Sequence, residues 1–428
     1  MVMATSGPEP AHEELQFWRD EISHSLLSLM QSAGYSVKEQ KHYLKFTNQH
    51  VVSSLGPPPV TTKLGARTPH FDSFCSDDFS PAELSWNIGL KHSKIRVGSE
   101  PIGPFAGTAK DPFNQDESQV VMSRLLRQGR GPVDGELWEF FKKHLHVEAK
   151  HAKEIVSKMA PNEHMTTNTI SFDLDGEQPA PKVYFYPIPI SLLENNHAGE
   201  IITDVIAQLP VNLEPAFKYV RDFVYRYKKQ RNNESILRLE LIAFDAVRPV
   251  DSRFKLYLRT KETCLARVEE VYSLGGALKG PEVDRGLSLI RSFYQHVLGT
   301  TDLEEDLPRS THRTAGIIFN MEMKHNSLVP VPKVYIPVRH YGGTDLRIAQ
   351  SLSNFFRAWG LTQMADNPYQ DFSTTIGRHS YVGLSYDKNG PYITMYYNTM
   401  TFSIGDERDG NGKLVGPAAM KQRHLLDQ

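Results

Sequence analysis

Lys182-Val183-Tyr184-Phe185, Lys255-Leu256-Tyr257-Leu258 and Lys333-Val334-Tyr335-Ile336 repeat one short pattern, a lysine two residues ahead of a tyrosine with apolar residues between and after them. In an extended chain residues two apart share a face, so each stretch sends one cation and one aromatic ring to the same side. Val183 and Phe185, then Phe254, Leu256 and Leu258, then Val334, Ile336 and Val338 take the other side. An apolar face of this kind packs on helices and leaves the polar face to line an interior. The pattern predicts the inverse of an ordinary barrel core, polar and aromatic within and apolar without.

On either side of these stretches the chain reads as five pairs of alternating segments. They are Glu83 to Ile88 with Lys94 to Glu100, Asn168 to Leu174 with Lys182 to Pro187, Leu237 to Phe244 with Arg253 to Arg259, Ala315 to Met323 with Lys333 to Val338, and Ser380 to Tyr386 with Tyr392 to Tyr397. Asp175-Gly176 and Asn389-Gly390-Pro391 are turn formers, and Arg248-Pro249 interrupts the third pair. Apolar residues at helical spacing lie between the pairs: Val120, Leu125, Leu137 and Phe141, then Ala216, Val220 and Phe223, then Leu287, Ile290 and Phe293, then Leu346, Ala349, Leu352 and Phe355. Two helices and two strands thus recur about five times at roughly 60 to 85 residues, long for a solenoid unit. Hairpins make neighbours antiparallel, and ten strands close into a barrel wide enough for a ligand. An opening helix, with Leu15, Trp18, Ile22 and Leu26 on one stripe, is expected outside the ring.

Composition bounds the function. With 428 residues, 39% hydrophobic and 23% charged, the chain can bury a large core, and residues 1–428 are expected to form one barrel domain with flexible ends at 1–9 and 405–428. A formal net charge of −2 calls for neither nucleic acid nor an acidic membrane, so any basic site is local. Cys75 and Cys264 are the only cysteines, which suits a reducing cytosol and hence a cytoplasmic protein. Met1 to Pro10 lacks a basic region followed by an apolar run, and no apolar stretch is long enough to cross a bilayer.

Folding the polar faces inward collects Arg96, Lys182, Arg253, Lys255 and Lys333 in one cavity. Five cations repel one another unless a multivalent anion sits among them, and diphosphate meets that need without a metal. Taken singly, each is equally explained by a surface ion pair. Tyr184, Tyr257, Tyr335, Tyr381 and Tyr396 share the cavity, with Tyr392 on the face of Tyr396. Their rings can shelter an allylic cation, each for about 0.5 to 2 kcal/mol, although tyrosine is also common in strands for packing alone. Glu83 stands on the face of Ser85 and Asn87, where it serves either to accept an N–H from an electron-rich heteroaromatic ring or as a countercharge for Arg96 or Lys182.

Other signals are weak. There is no phosphate-binding glycine loop, no His-Glu-x-x-His pair and no aspartate-rich metal motif: Asp77-Asp78 runs into Phe-Ser-Pro, and Asp302 to Asp306 reads as a solvated acidic run. His340 reads as a loop histidine without a partner, and Lys228 to Arg231 as a charged helix end.

In its ordered set of motifs the chain resembles the dimethylallyltryptophan synthase family, the fungal indole prenyltransferases. The motifs are Glu-Leu-Ser-Trp-Asn at Glu83, Lys-Val-Tyr at Lys182, Arg-Phe-Lys-Leu-Tyr at Arg253, Lys-Val-Tyr-Ile-Pro at Lys333 and Ser-Tyr-Val-Gly-Leu-Ser-Tyr at Ser380. The resemblance implies an α+β fold, the ten-stranded antiparallel prenyltransferase (ABBA-type) barrel of five ααββ repeats. It implies a soluble enzyme that needs no metal or other cofactor and moves a dimethylallyl group from dimethylallyl diphosphate to an indole. By position, Glu83 looks like the glutamate that holds the indole N–H and acts in catalysis. Arg96, Lys182, Arg253, Lys255 and Lys333 look like the diphosphate clamp, and Tyr184, Tyr257, Tyr335, Tyr381, Tyr392 and Tyr396 like the cation shield. Phe74, Cys75 and Thr169 fall in segments that bind the acceptor. Thr169 replaces a lysine thought to take the proton in tryptophan-prenylating relatives, and Asp387 an arginine near the phosphate. The first departure favours a tryptophan-containing cyclic dipeptide over free tryptophan. The rivals are free tryptophan or another aromatic acceptor, a phosphate-ester hydrolase and a storage barrel for an isoprenoid diphosphate.

Overall fold

The computed structural model describes residues 12–61, 67–90, 93–129, 131–160, 163–230, 237–365, 379–399 and 401–402. The expected flexible ends at 1–9 and 405–428 lie outside them. Ten strands form the barrel: β1 (Ala82–Gly89), β2 (Ser93–Ser99), β3 (Asn168–Asp173), β4 (Pro181–Phe185), β5 (Leu237–Asp245), β6 (Arg253–Thr260), β7 (Ile317–Lys324), β8 (Val331–Ile336), β9 (His379–Asp387) and β10 (Gly390–Asn398). Each pairs antiparallel with its sequence neighbours, and β10 pairs with β1 to close the ring, Tyr396 opposite Ser85 and Asn398 opposite Glu83. Closure leaves the sheet no free edge.

Helices jacket the ring as the period predicts. His12–Ser32 and Val37–His50 precede β1, the second opened by a capping box between Ser36 and Glu39. Asp116–Gln128 and Glu136–Leu145 precede β3, Ala198–Ala207 and Glu214–Gln230 precede β5, Leu265–Tyr272 and Pro281–Phe293 precede β7, and Asp345–Ala358 precedes β9. Their apolar faces meet the outward residues of the strands. Phe141 stacks on Phe244 at 4.8 Å between centroids, and Trp138 lies 5.4 Å from Phe185. The opening helix buries Trp18, Ile22 and Leu26, and Trp18 Nε1 donates to the Gly56 carbonyl at 2.8 Å.

Boundaries move where proline or glycine intervenes. Val338, expected on a strand, opens the helix Val338–Tyr341, because Pro337 has no N–H to extend the ladder. Pro187 likewise leaves β4 and caps the helix Ile188–Glu194. Gly316, at φ +96°, delays the start of β7 to Ile317.

Candidate active site

Register sorts the inward side chains into layers. At one mouth Arg96 pairs across the sheet with Asp173, Lys182 with Asp245, and Lys255 with Glu322. One layer deeper Tyr184 faces Thr169, Tyr257 faces Asn320 and Tyr335 faces Gly383. Lysine-x-tyrosine spacing on three strands therefore becomes a cationic layer above an aromatic one.

The five cations do converge, and the expectation that they need an anion to coexist is corrected by three carboxylates. Arg96 Nε lies 2.6 Å from Asp173, which also pairs with Lys182. Arg253 Nε lies 2.6 Å from Asp245, and Glu322 sits 3.7 Å from Arg253 and 3.9 Å from Lys255. Lys333 Nζ donates to Thr394 Oγ1 at 2.5 Å, which donates in turn to Asn87 Oδ1 at 2.9 Å. Burial and the neighbouring Arg96 bring the Lys182 ammonium down to about 7, with Asp173 opposing them. Lys255 is lowered by burial and Arg253, and Lys333 is held well below its usual range by burial and Arg96. Lysines whose charge is this costly gain from any anion brought among them. The mouth opens on a basin lined by Lys94, Asp175, Lys182, Arg248 and Arg253. The Arg253 side chain is 35% exposed there, against 6% for Lys182.

Below the cations four rings form a continuous girdle: Tyr184 to Tyr257 at 6.1 Å, Tyr257 to Tyr335 at 5.8 Å, and Tyr335 to Tyr396 at 5.9 Å. Tyr392 sits higher, its ring 4.6 Å from Lys333 Nζ, and so belongs to the cation layer. Tyr381 sits lower, outside that chain of contacts, and donates to the Thr314 carbonyl at 2.7 Å. Gly383 has no side chain because a Cβ there would come within 2.8 Å of Lys333 and 3.2 Å of Tyr335. Asp387 accepts from the Asn389 amide at 2.6 Å and so caps the β9–β10 turn.

The deepest layer holds Glu83, with Phe74, Cys75 and Thr169 lining the same cavity. Ser380 Oγ donates to Glu83 at 3.4 Å. Arg96 and Lys182 are paired with Asp173, and of the two Arg96 also acts on Glu83. Burial, and then the Asp77 carboxylate, hold the Glu83 carboxyl well above the usual carboxylate range, against Ser380 and Arg96. Phe74 stacks on His164 at 3.8 Å and carries the Arg313 guanidinium 5.0 Å from its ring centre. Its loop is fixed by Glu100, which accepts from Ser73 Oγ at 2.6 Å, Thr166 Oγ1 at 2.8 Å and the Phe74 amide at 3.3 Å. Burial pushes the Cys75 thiol well up, leaving it neutral.

Several lining residues escape the sequence reading. Asp173, Asp245 and Glu322 continue the inward alternation of Thr169-x-Ser171, Leu241-x-Ala243 and Ile318-x-Asn320, the first and last within the expected strands and Asp245 one residue beyond its own. Tyr186 and Arg259 extend the Lys-x-Tyr faces in the same way. Glu240 has no such signal: a bulge between Leu239 and Leu241 places it on the cavity beside Leu241. His340 is corrected too. It lies on the short helix after β8, where its Nε2 sits 2.9 Å from Thr314 Oγ1 and its ring 4.8 Å from His312. Asp306, read as part of a solvated run, accepts from the amides of Thr263 and Cys264 at 2.7 and 2.8 Å.

A ten-stranded antiparallel barrel ringed by helices, its mouth cationic and its interior phenolic, defines the aromatic prenyltransferase class. The family described as tryptophan dimethylallyltransferase matches residues 14–371, and the chain belongs to it. It is 33% identical to 7-dimethylallyltryptophan synthase of Aspergillus fumigatus, over 92% of this chain and 87% of that one. It is 29% identical to an indole diterpene prenyltransferase of Penicillium ochrochloron, over 91% and 94%. Among solved structures it resembles AnaPT from Neosartorya fischeri, with a TM-score of 0.80 and 25% identity over 93% of this chain and 97% of that one. The fold is shared as well by NotF, solved with brevianamide F and DMSPP, at a TM-score of 0.74 and 22% identity over 94% and 99%. The chain is therefore an enzyme, an aromatic (indole) prenyltransferase. Among the described residues no helix is long and apolar enough to cross a membrane.

Proposed function

We propose that the protein, residues 1–428 acting as one barrel in the cytosol, moves the dimethylallyl group of dimethylallyl diphosphate to the indole ring of a tryptophan-containing cyclic dipeptide without a metal. The observation that carries this reading is the layering itself: cations at the mouth, four tyrosine rings beneath them, and at the base a carboxyl group that pairs with none of those cations.

Diphosphate enters from the basin and takes the charge of Arg96, Lys182, Arg253, Lys255 and Lys333. As the allylic C–O bond breaks, its electron pair goes to the diphosphate oxygen, and a preorganised cation set stabilises the charge that gathers there. The dimethylallyl cation is left among the ring faces of Tyr184, Tyr257, Tyr335 and Tyr396, with Tyr381 and Tyr392 below and above, and water kept out. The indole N–H donates to Glu83, which raises the electron density of the ring as its π pair forms the carbon–carbon bond; the proton on the alkylated carbon then passes to the released diphosphate and aromaticity returns. Phe74, Cys75 and Thr169 form the wall that holds the acceptor. Thr169 supplies a hydroxyl where tryptophan-prenylating relatives have the lysine thought to take the proton, and this departure favours a cyclic dipeptide over free tryptophan.

Incubation with dimethylallyl diphosphate, chelator and a panel of indoles tests this, read by mass spectrometry. The expected result is a single prenyl increment on cyclic dipeptides. An increment on free tryptophan alone overturns the acceptor, dimethylallyl alcohol alone marks a hydrolase, and unconsumed diphosphate marks a storage barrel.

A further inference from the structure

The deep end of the cavity contains an ion pair for which the transfer of the prenyl group has no use. Glu240 and Arg259 both line it, 2% and 6% exposed, with Arg259 Nε 3.2 Å from Glu240 Oε1. That approach lacks hydrogen-bond alignment, so both atoms are buried without a hydrogen bond. Their other edges are occupied. Glu240 Oε2 accepts from Arg238 Nη2 at 3.1 Å, and Arg238 Nη1 reaches Glu163 at 3.1 Å. Arg259 Nη1 donates to the Thr314 carbonyl at 2.8 Å and the Ala315 carbonyl at 3.3 Å. Burial opposes the charge on Glu240, yet Arg259 and Arg238 bring its carboxyl down to about 2, so it is ionised. A buried donor and a buried acceptor, each without a hydrogen bond, cost stability unless something else satisfies them.

What fits is an edge that offers one donor beside one acceptor, matching the Glu240 oxygen and the Arg259 guanidinium. A secondary amide held cis has that edge, its N–H and C=O pointing the same way. The head of a free amino acid offers an ammonium and a carboxylate instead, two full charges that each cost desolvation in a site this buried. We propose that Glu240 and Arg259 are specificity-determining residues that dock the cis-amide edge of the acceptor, Glu240 Oε1 accepting its N–H and the Arg259 guanidinium donating to its C=O. This rests on the cyclic dipeptide reading above, and names the groups that recognise the dipeptide ring while Glu83 holds the indole.

The test compares cyclo-(L-Trp-L-Ala) with its depsipeptide analogue, in which the tryptophan amide N–H is replaced by oxygen at nearly unchanged size, on the wild type and on Glu240→Gln, with L-tryptophan alongside. Loss of a hydrogen bond to a buried charge raises the wild-type KM for the analogue on the order of 10- to 100-fold, with kcat moved far less. In Glu240→Gln the gap shrinks to a few-fold. If that variant does not fold, the wild-type gap decides. Equal KM values for the two cyclic substrates overturn the docking while leaving prenyl transfer to cyclic dipeptides standing, as does an undiminished gap in folded Glu240→Gln. Turnover of L-tryptophan with neither cyclic compound overturns the acceptor reading and the docking together.

Discussion

Lys182 shows how one residue can carry both the geometry and the energetics of the site. Its ammonium shares Asp173 with Arg96 and is brought down to about 7 by burial and Arg96. Diphosphate restores the advantage of the charged form, so above about pH 7 its binding takes up protons, and calorimetry in buffers of different ionisation enthalpy should register that uptake. Lys182→Ala should reduce the uptake and lower kcat on the order of 100-fold or more; unchanged uptake and rate would remove Lys182 from the clamp. Glu83 works in the opposite sense. Its carboxyl is held protonated above the usual carboxylate range, and hydrogen bonding to the indole N–H favours the charged form, so activity falls as pH drops through its raised pKa. Glu83→Gln should flatten that acidic limb of kcat/KM and slow transfer on the order of 100-fold. An acidic limb that survives in the variant assigns it to another group. Both residues could be picked out by type and face from the sequence alone. Asp245 lies one residue past the expected end of its strand at Phe244, and Asp173, inside its expected strand, carries no mark of its role until register sets it beside Arg96 and Lys182.

At the scale of elements, the girdle and the Phe74 loop make separate predictions. Tyr184, Tyr257, Tyr335 and Tyr396 come from four strands, and their ring faces rather than their hydroxyls are what a cation meets. Tyr257→Phe should therefore keep most of the transfer rate. Tyr257→Ala should lose on the order of 3- to 30-fold and release more dimethylallyl alcohol as water enters. An alcohol-to-product ratio equal to that of the wild type would show that the rings do not exclude water. Glu100, behind Phe74, is raised by burial from about 4.5 to about 7. The folded state keeps its proton where the unfolded chain loses it, so its contribution to stability is complete below about pH 4.5 and is lost as pH rises to about 7. Glu100→Gln cannot ionise, and the stability of the wild type relative to it should fall by up to about 3 kcal/mol across that window. Chemical denaturation at several pH values measures this, and a pH-independent difference would contradict it. Elements were legible where alternation was regular. What was not legible is facing at a bulge, as between Leu239 and Leu241 and between His379 and Val382, where neighbours such as Ser380 and Tyr381 both reach interior groups.

For the molecule as a whole, closure converts a repeated local pattern into an enclosed gradient of chemistry. Strands from around the ring contribute to each layer, so the Lys-x-Tyr spacing becomes a cationic mouth over a phenolic chamber only because β10 returns to β1. Ten strands, their antiparallel order and the helical jacket could be read from hairpin signals and apolar periodicity. Which cations pair with which carboxylates could not, since cross-strand partners such as Lys255 and Glu322 are set by register over a long sequence separation. The most direct test of the whole arrangement is a crystal structure with the unreactive thiolo analogue of dimethylallyl diphosphate and a tryptophan-containing cyclic dipeptide. The account predicts the diphosphate among Lys182, Arg253, Lys255 and Lys333, the prenyl chain within the four rings, and the indole N–H on Glu83. A diphosphate bound away from these cations, or an indole turned away from Glu83, would contradict it.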